Sequence, residues 1–100
     1  MATVYILYSK SIDRFYVGSC HDLKLRLDQH KNKYFKNAFT SRTADWELFL
    51  ALPDLEYTQA RKIENHIKRM KSRLYIKNLF TYHELREKLV FKYRDADSSR

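Results

Sequence analysis

The sequence predicts an α+β domain, a three-stranded antiparallel sheet flanked by helices. Two short runs, Thr3-Val4-Tyr5-Ile6-Leu7-Tyr8 and Arg14-Phe15-Tyr16-Val17-Gly18, are rich in β-branched and aromatic residues and flank a polar stretch, which is how a hairpin reads. A third apolar run, Trp46 to Leu52, stops at Pro53. Elsewhere apolar residues recur at helical spacing. One hundred residues make one domain with a modest core. We place it at residues 1–90, followed by a polar tail at 91–100.

Within the hairpin, Ser9 to Asp13 supplies the turn. An even-numbered loop centred between Lys10 and Ser11 sets Tyr5 directly opposite Tyr16, so that both phenols share one face of the sheet. A loop one residue longer or shorter would separate them. Gly18 falls on that same face, where it leaves room for a ligand or another backbone. An aromatic cross-strand pair is also a common structural device, and the hairpin alone does not decide between the two uses.

Asp22 to His30 reads as a helix with Leu23 and Leu27 one turn apart, opened by Ser19 or His21. Asn32 to Asp45 is polar, basic and long for a connection, the mark of a functional loop. The nearly continuous apolar character of Trp46–Leu52 predicts a central strand covered on both faces. Ala60, Ile63, Ile67 and Met70 predict a helix over 58–71, and Leu74, Ile76, Leu79 and Phe80 another over 73–80. Thr81-Tyr82-His83-Glu84 reads as a capping box opening a last helix with Leu85 and Leu89.

Charge points to a polyanionic partner. Twenty Lys and Arg against twelve Asp and Glu leave a net charge of +8, and neutralising phosphates with such cations releases condensed counterions. Lys31, Lys33, Lys36 and Arg42 form one cluster, interleaved with Tyr34, Phe35 and Phe39, and Arg61, Lys62, Lys68, Arg69, Lys71 and Arg73 form another. Such a mixture suits phosphates and bases together. No apolar run approaches the roughly 18 residues of a membrane helix, and no secretory signal is evident. A lone cysteine, Cys20, excludes an internal disulfide and argues against a cysteine-based zinc site. A cytoplasmic location is the expectation.

Polar groups then appear where apolar ones belong. On the first helix Arg26 and His30 lie one turn apart, beside the stripe formed by Leu23 and Leu27. On the second, Glu64 borders the apolar seam of an otherwise cationic helix. It reads either as a structural ion-pair partner, with Arg26 as one choice, or as a ligand for a hard divalent cation, which commonly binds one or two carboxylates plus waters and phosphate.

Val4-Tyr5-Ile6-Leu7, Tyr16-Val17-Gly18-Ser19, Leu23 through Arg26-Leu27 to His30, Ala38-Phe39-Thr40-Ser41, Asp45-Trp46-Glu47-Leu48, and Glu64 followed by Lys71-Ser72-Arg73 stand in order along the chain. Together they resemble the GIY-YIG nuclease superfamily over about residues 3–80. The likeness is to small stand-alone members related to the N-terminal nuclease domain of the excision-repair protein UvrC and to phage intron-homing endonucleases. The resemblance implies that Tyr5 and Tyr16 are the tyrosines of the two name-giving elements. Arg26 matches the catalytic arginine, His30 a frequent active-site histidine and Glu64 the metal-binding glutamate. Asn78 matches an asparagine used by some members. Thr3 and Val4 depart from the family's Gly-Ile, while the tyrosine is kept.

The implied function is a metal-dependent endonuclease that hydrolyses DNA phosphodiester bonds with Mg²⁺ or Mn²⁺, acting at branched, damaged or flap-like structures in repair or recombination. Arg26 would bind non-bridging oxygens, with Tyr5 or His30 as general base and Tyr16 as positioning group. Lys31, Lys33, Arg42, Lys68, Lys71 and Arg73 would contact DNA. The alternative is a binding module of the same fold that cleaves little.

Overall fold

A computed structural model describes residues 1–31 and 43–94 of the chain, with Lys31 described by its backbone alone. Three strands, β1 (Ala2–Ser9), β2 (Arg14–Cys20) and β3 (Glu47–Leu55), form one antiparallel sheet in the order β2-β1-β3. The helices are α1 (Leu23–Lys31), α2 (Tyr57–Met70), α3 (Arg73–Thr81) and α4 (His83–Lys92). The predicted fold class is the observed one.

The central strand is β1, and β3 is an edge. This corrects the reading of Trp46–Leu52 as central. Side chains alternate across a strand, and β1 is buried on both sides. Ala2, Val4 and Ile6 join Ala60, Ile63, Ile67 and Leu79 in one core beneath α2–α4, whereas Tyr5 and Leu7 join Cys20 and Trp46 in a second beneath α1. The apolar run of β3 leaves Leu48 45% exposed. Nor does β3 stop at Pro53. It continues to Leu55 across a register shift between the partners of Ala2 and Val4, with Asp54 at φ 60°. A proline is tolerated at such a bulge on an edge strand, where its missing N–H breaks no essential ladder bond.

Local chemistry sets the helix ends. Asp22, rather than Ser19 or His21, caps α1, its carboxylate accepting from the Leu25 amide at 3.1 Å. Lys71, in the left-handed region at φ 48°, ends α2, and the Ser72 hydroxyl opens α3 by accepting from the Tyr75 amide at 3.0 Å. The capping box expected at Thr81–Glu84 does not form, since α4 starts after Tyr82 with no side-chain cap. Arg86 instead satisfies the last carbonyls of α3, donating to Leu79 and Phe80 at 2.7 Å each. Burial of Ile63 and Ile67, 0% and 2% exposed, stabilises the α2 contact by about 1.5–3 kcal/mol per side chain. Among the described residues no helix is long and apolar enough to cross a membrane.

Candidate active site

The hairpin register is shifted by two residues from the expected one. Tyr5 pairs with Gly18, and Tyr16 pairs with Leu7. The loop is Lys10–Asp13, because Ser9 pairs with Arg14 and Asp13 takes a positive φ of 51° to close the turn. Aspartate tolerates that region. The shift preserves parity, so the tyrosines become diagonal neighbours on one face, ring centroids 6.3 Å apart. Gly18 provides room, although the room is already used: a Cβ there would lie 2.6 Å from the Tyr5 phenol oxygen.

Helix α1 brings His30 under this pair. The imidazole is 2% exposed, its Nε2 lies 3.0 Å from Tyr5 Oη, and its ring centroid is 5.8 Å from that of Tyr5 and 5.2 Å from that of Tyr16. Burial lowers its pKa to about 4, assisted by the Arg26 charge. Burial, with help from Tyr16, pushes the Tyr5 phenol well above its usual value, against the pull of Arg26. At neutral pH the Tyr5–His30 contact is therefore a hydrogen bond between uncharged groups. The Arg26 charge acts on Tyr5, Cys20 and His30, and Arg26 lines the same cleft as Tyr5 and Cys20. Burial also raises the Cys20 pKa, keeping it a thiol.

Glu64 approaches from α2, on the other side of strand β2. Ser19 donates to its Oε1 at 2.6 Å, and the Lys68 ammonium donates to Oε2 at 2.6 Å. The ion-pair partner is thus Lys68 rather than Arg26. This pairing follows from the i, i+4 spacing on one helix. Between α1, β2 and α2 lies a cleft of about 330 Å³ onto which Tyr5, Tyr16, Gly18, Arg26 and Glu64 all open. His30 is not part of the lining formed by the described residues. It stands behind Tyr5.

Sequence reasoning did not single out Ser19, Tyr57 or Arg61 as members of this lining, which also includes Cys20 and His21. Tyr57 stacks on His21, centroids 5.2 Å apart at 3°, and Arg61 covers its ring at 5.8 Å. A signal did exist, since Tyr57, Arg61, Glu64, Lys68 and Lys71 follow one another by four and three residues and so share one helix face.

Of the cations expected to contact nucleic acid, Lys68, Lys71 and Arg73 gather with Arg14 around an adjoining hollow. The Lys31 side chain, Lys33 and Arg42 lie outside the described residues, as do Lys36, Tyr34, Phe35 and Phe39. Asn78 belongs to α3, where its carbonyl accepts from the Tyr82 amide at 2.8 Å, and it does not line the cleft.

The donor set suits a particular kind of metal binding. Among the described residues no group of three or more His, Cys, Asp and Glu could cage an ion. One carboxylate facing an open cleft instead matches Mg²⁺, which keeps several waters and takes its remaining ligands from phosphate. No curated protein and no solved structure matches the chain. The family model described as the GIY-YIG catalytic domain matches residues 1–79, most of the chain and every residue of the cleft, and the chain therefore belongs to the GIY-YIG family of nuclease domains.

Proposed function

We propose that the chain is a metal-dependent DNA endonuclease, selective for DNA structure rather than sequence. The observation that carries this reading is the convergence of Arg26 and Glu64, from opposite sides of strand β2, on the cleft that the two tyrosines line. A packing role for the tyrosines would not account for a guanidinium and a carboxylate facing the same space. GIY-YIG nucleases generally use divalent ions, and Glu64 is the residue that would hold one. When bound, Mg²⁺ or Mn²⁺ would neutralise charge on the phosphoryl oxygens and stabilise the leaving oxygen.

The chain's own residues supply the rest. Arg26 donates forked hydrogen bonds to the non-bridging oxygens as charge grows there, and Tyr16 orients phosphate and water. Tyr5 and His30 act as one proton-accepting unit: Tyr5 Oη takes a proton from water while passing its own to His30 Nε2. The hydroxide so formed attacks phosphorus, the P–O bond to the leaving strand breaks, and that oxygen takes a proton from solvent. A low pKa keeps Nε2 free of a proton before the transfer. A cytoplasmic location and work on branched, damaged or flap-like DNA in repair or recombination belong to the same reading.

The test is incubation with labelled linear, flap and four-way DNA, with and without Mg²⁺ or Mn²⁺, beside a Glu64→Ala variant. Metal-dependent cleavage that the variant loses supports the reading. Salt-sensitive binding with no cleavage under any condition would replace it with the binding module.

A further inference from the structure

Along the outer edge of β2 the catalytic cleft continues into a second hollow of about 500 Å³, walled on its far side by the turn between α2 and α3. That volume falls within the roughly 300–1,000 Å³ of small-molecule sites. Its chemistry is divided. Phe15, Val17, Ile67 and Ile76 make an apolar floor, and Arg14 and Lys71 stand on a cationic rim. The rim is also braced: Arg73 is held by the Asp13 carboxylate at 2.6 Å and lies 5.5 Å over the Phe15 ring. A flat apolar ring carrying an anion matches both halves of this surface. Tyr16 and Lys68 line the hollow and the cleft alike, so a group seated in one adjoins a group seated in the other.

We propose that this hollow receives one unpaired nucleotide of the DNA substrate, so that the scissile phosphate in the cleft belongs to a nucleotide next to an extrahelical base. The proposal rests on the nuclease reading and names its substrate class. A base within a duplex has both faces covered by its neighbours and cannot reach an apolar floor without leaving the stack. A bulged or flap nucleotide has already left it, so the unstacking cost is lowest there. A second copy of this chain is a poor occupant, because a surface rimmed by cations faces a partner of net charge +8.

The experiment uses the intact chain in EDTA and two duplexes of one sequence, one fully paired and one with a single unpaired fluorescent aminopurine. The expected result is affinity for the unpaired duplex about tenfold higher, the order of one base–aromatic stacking contact, with a change in aminopurine emission on binding. Arg73→Met keeps an apolar stem, removes the planar guanidinium that lies over the Phe15 ring, and should bring the two affinities together. The wild-type ratio is a test that needs no variant. Equal affinities with unchanged emission, or a concentration-dependent dimer that excludes DNA, would overturn the proposal. If Mg²⁺ then supports equal cleavage of both duplexes, the nuclease reading stands and the nucleotide site falls. Emission changes in EDTA without cleavage in any metal would leave the site standing and remove the nuclease.

Discussion

Gly18 and Tyr5 fit together as socket and plug: a Cβ on residue 18 would stand 2.6 Å from the phenol oxygen and 2.7 Å from Cζ. Tyr5 is 1% exposed and lies against Tyr16 and His30, so its ring has nowhere to swing. Gly18→Ala therefore moves the phenol and costs more activity than stability. Misplacing a reacting group by about 1 Å can cost about 10²-fold in rate. We expect kcat to fall by one to two orders of magnitude under this rule, while the salt dependence of DNA binding stays unchanged. Full activity in a folded Gly18→Ala protein would remove the phenol from the mechanism.

The tyrosine pair shows what kind of information the sequence carries. That Tyr5 and Tyr16 share a face follows from parity, which any even-numbered hairpin loop preserves. The register does not, because it depends on Asp13 adopting φ 51°, a choice made where Asp13 also accepts from Tyr8 and from Arg73 of α3. Likewise the helical wheel placed His30 at an apolar face, and it is buried there. What a wheel cannot tell is which strand a continuous apolar run will occupy. The β1 and β3 runs look alike, and only the tertiary arrangement leaves β3 on the edge. The partner of Glu64 was within reach of local rules, since Lys68 stands four residues on.

The buried imidazole makes stability depend on pH in a definite window. The folded pKa of His30 is lowered to about 4 from 6.5, so between those values the unfolded chain binds more protons, and stability falls as pH falls through the window. Such a shift is worth about 3 kcal/mol. Urea midpoints measured from pH 7 to pH 4 should decline accordingly, and His30→Phe, which keeps a buried ring, should flatten the decline. Part of it will remain through His66, whose pKa burial also lowers. Asp13 and Asp45, both shifted below the usual carboxylate range by hydrogen bonds, add losses only at lower pH. Cleavage should share the His30 limb, with its acidic arm near pH 4. Cleavage that His30→Phe leaves at the full rate, with the same acidic arm, would exclude Nε2 as the proton acceptor.

Lys68 holds Glu64 Oε2 at 2.6 Å and lies 5.9 Å from the centre of the Tyr16 ring. Its ammonium thus sits where an incoming divalent ion would find its carboxylate, and the two cations compete. Lys68→Met should tighten Mn²⁺ binding to the DNA-free protein by about two- to fivefold, the scale of an exposed ion pair. The same change should weaken DNA binding and reduce its salt slope by about 1, because one phosphate contact is lost. Titration followed by manganese spin resonance reads the first effect, and fluorescence anisotropy at several salt concentrations reads the second. Weaker Mn²⁺ binding in the variant would mean that Lys68 orients Glu64 for the metal rather than occupying its place.

Arg26 separates charge from shape. Its charge acts on Tyr5, Cys20 and His30 together, and a lysine would keep a positive charge in the neighbourhood. A lysine lacks the planar fork that meets two phosphate oxygens at once. Losing one such transition-state donor typically costs about 10²–10³ in kcat, and Arg26→Lys should fall in that range with little change in KM. Arg26→Ala should be slower still, because removing the cation also takes away the pull that opposes the upward shift of the Tyr5 pKa. Added guanidinium should restore part of the Arg26→Ala rate and none of the Arg26→Lys rate, since only the alanine variant leaves space for it. If lysine sustains the full rate, the arginine serves the cleft as a point charge and the forked contact to phosphate is absent.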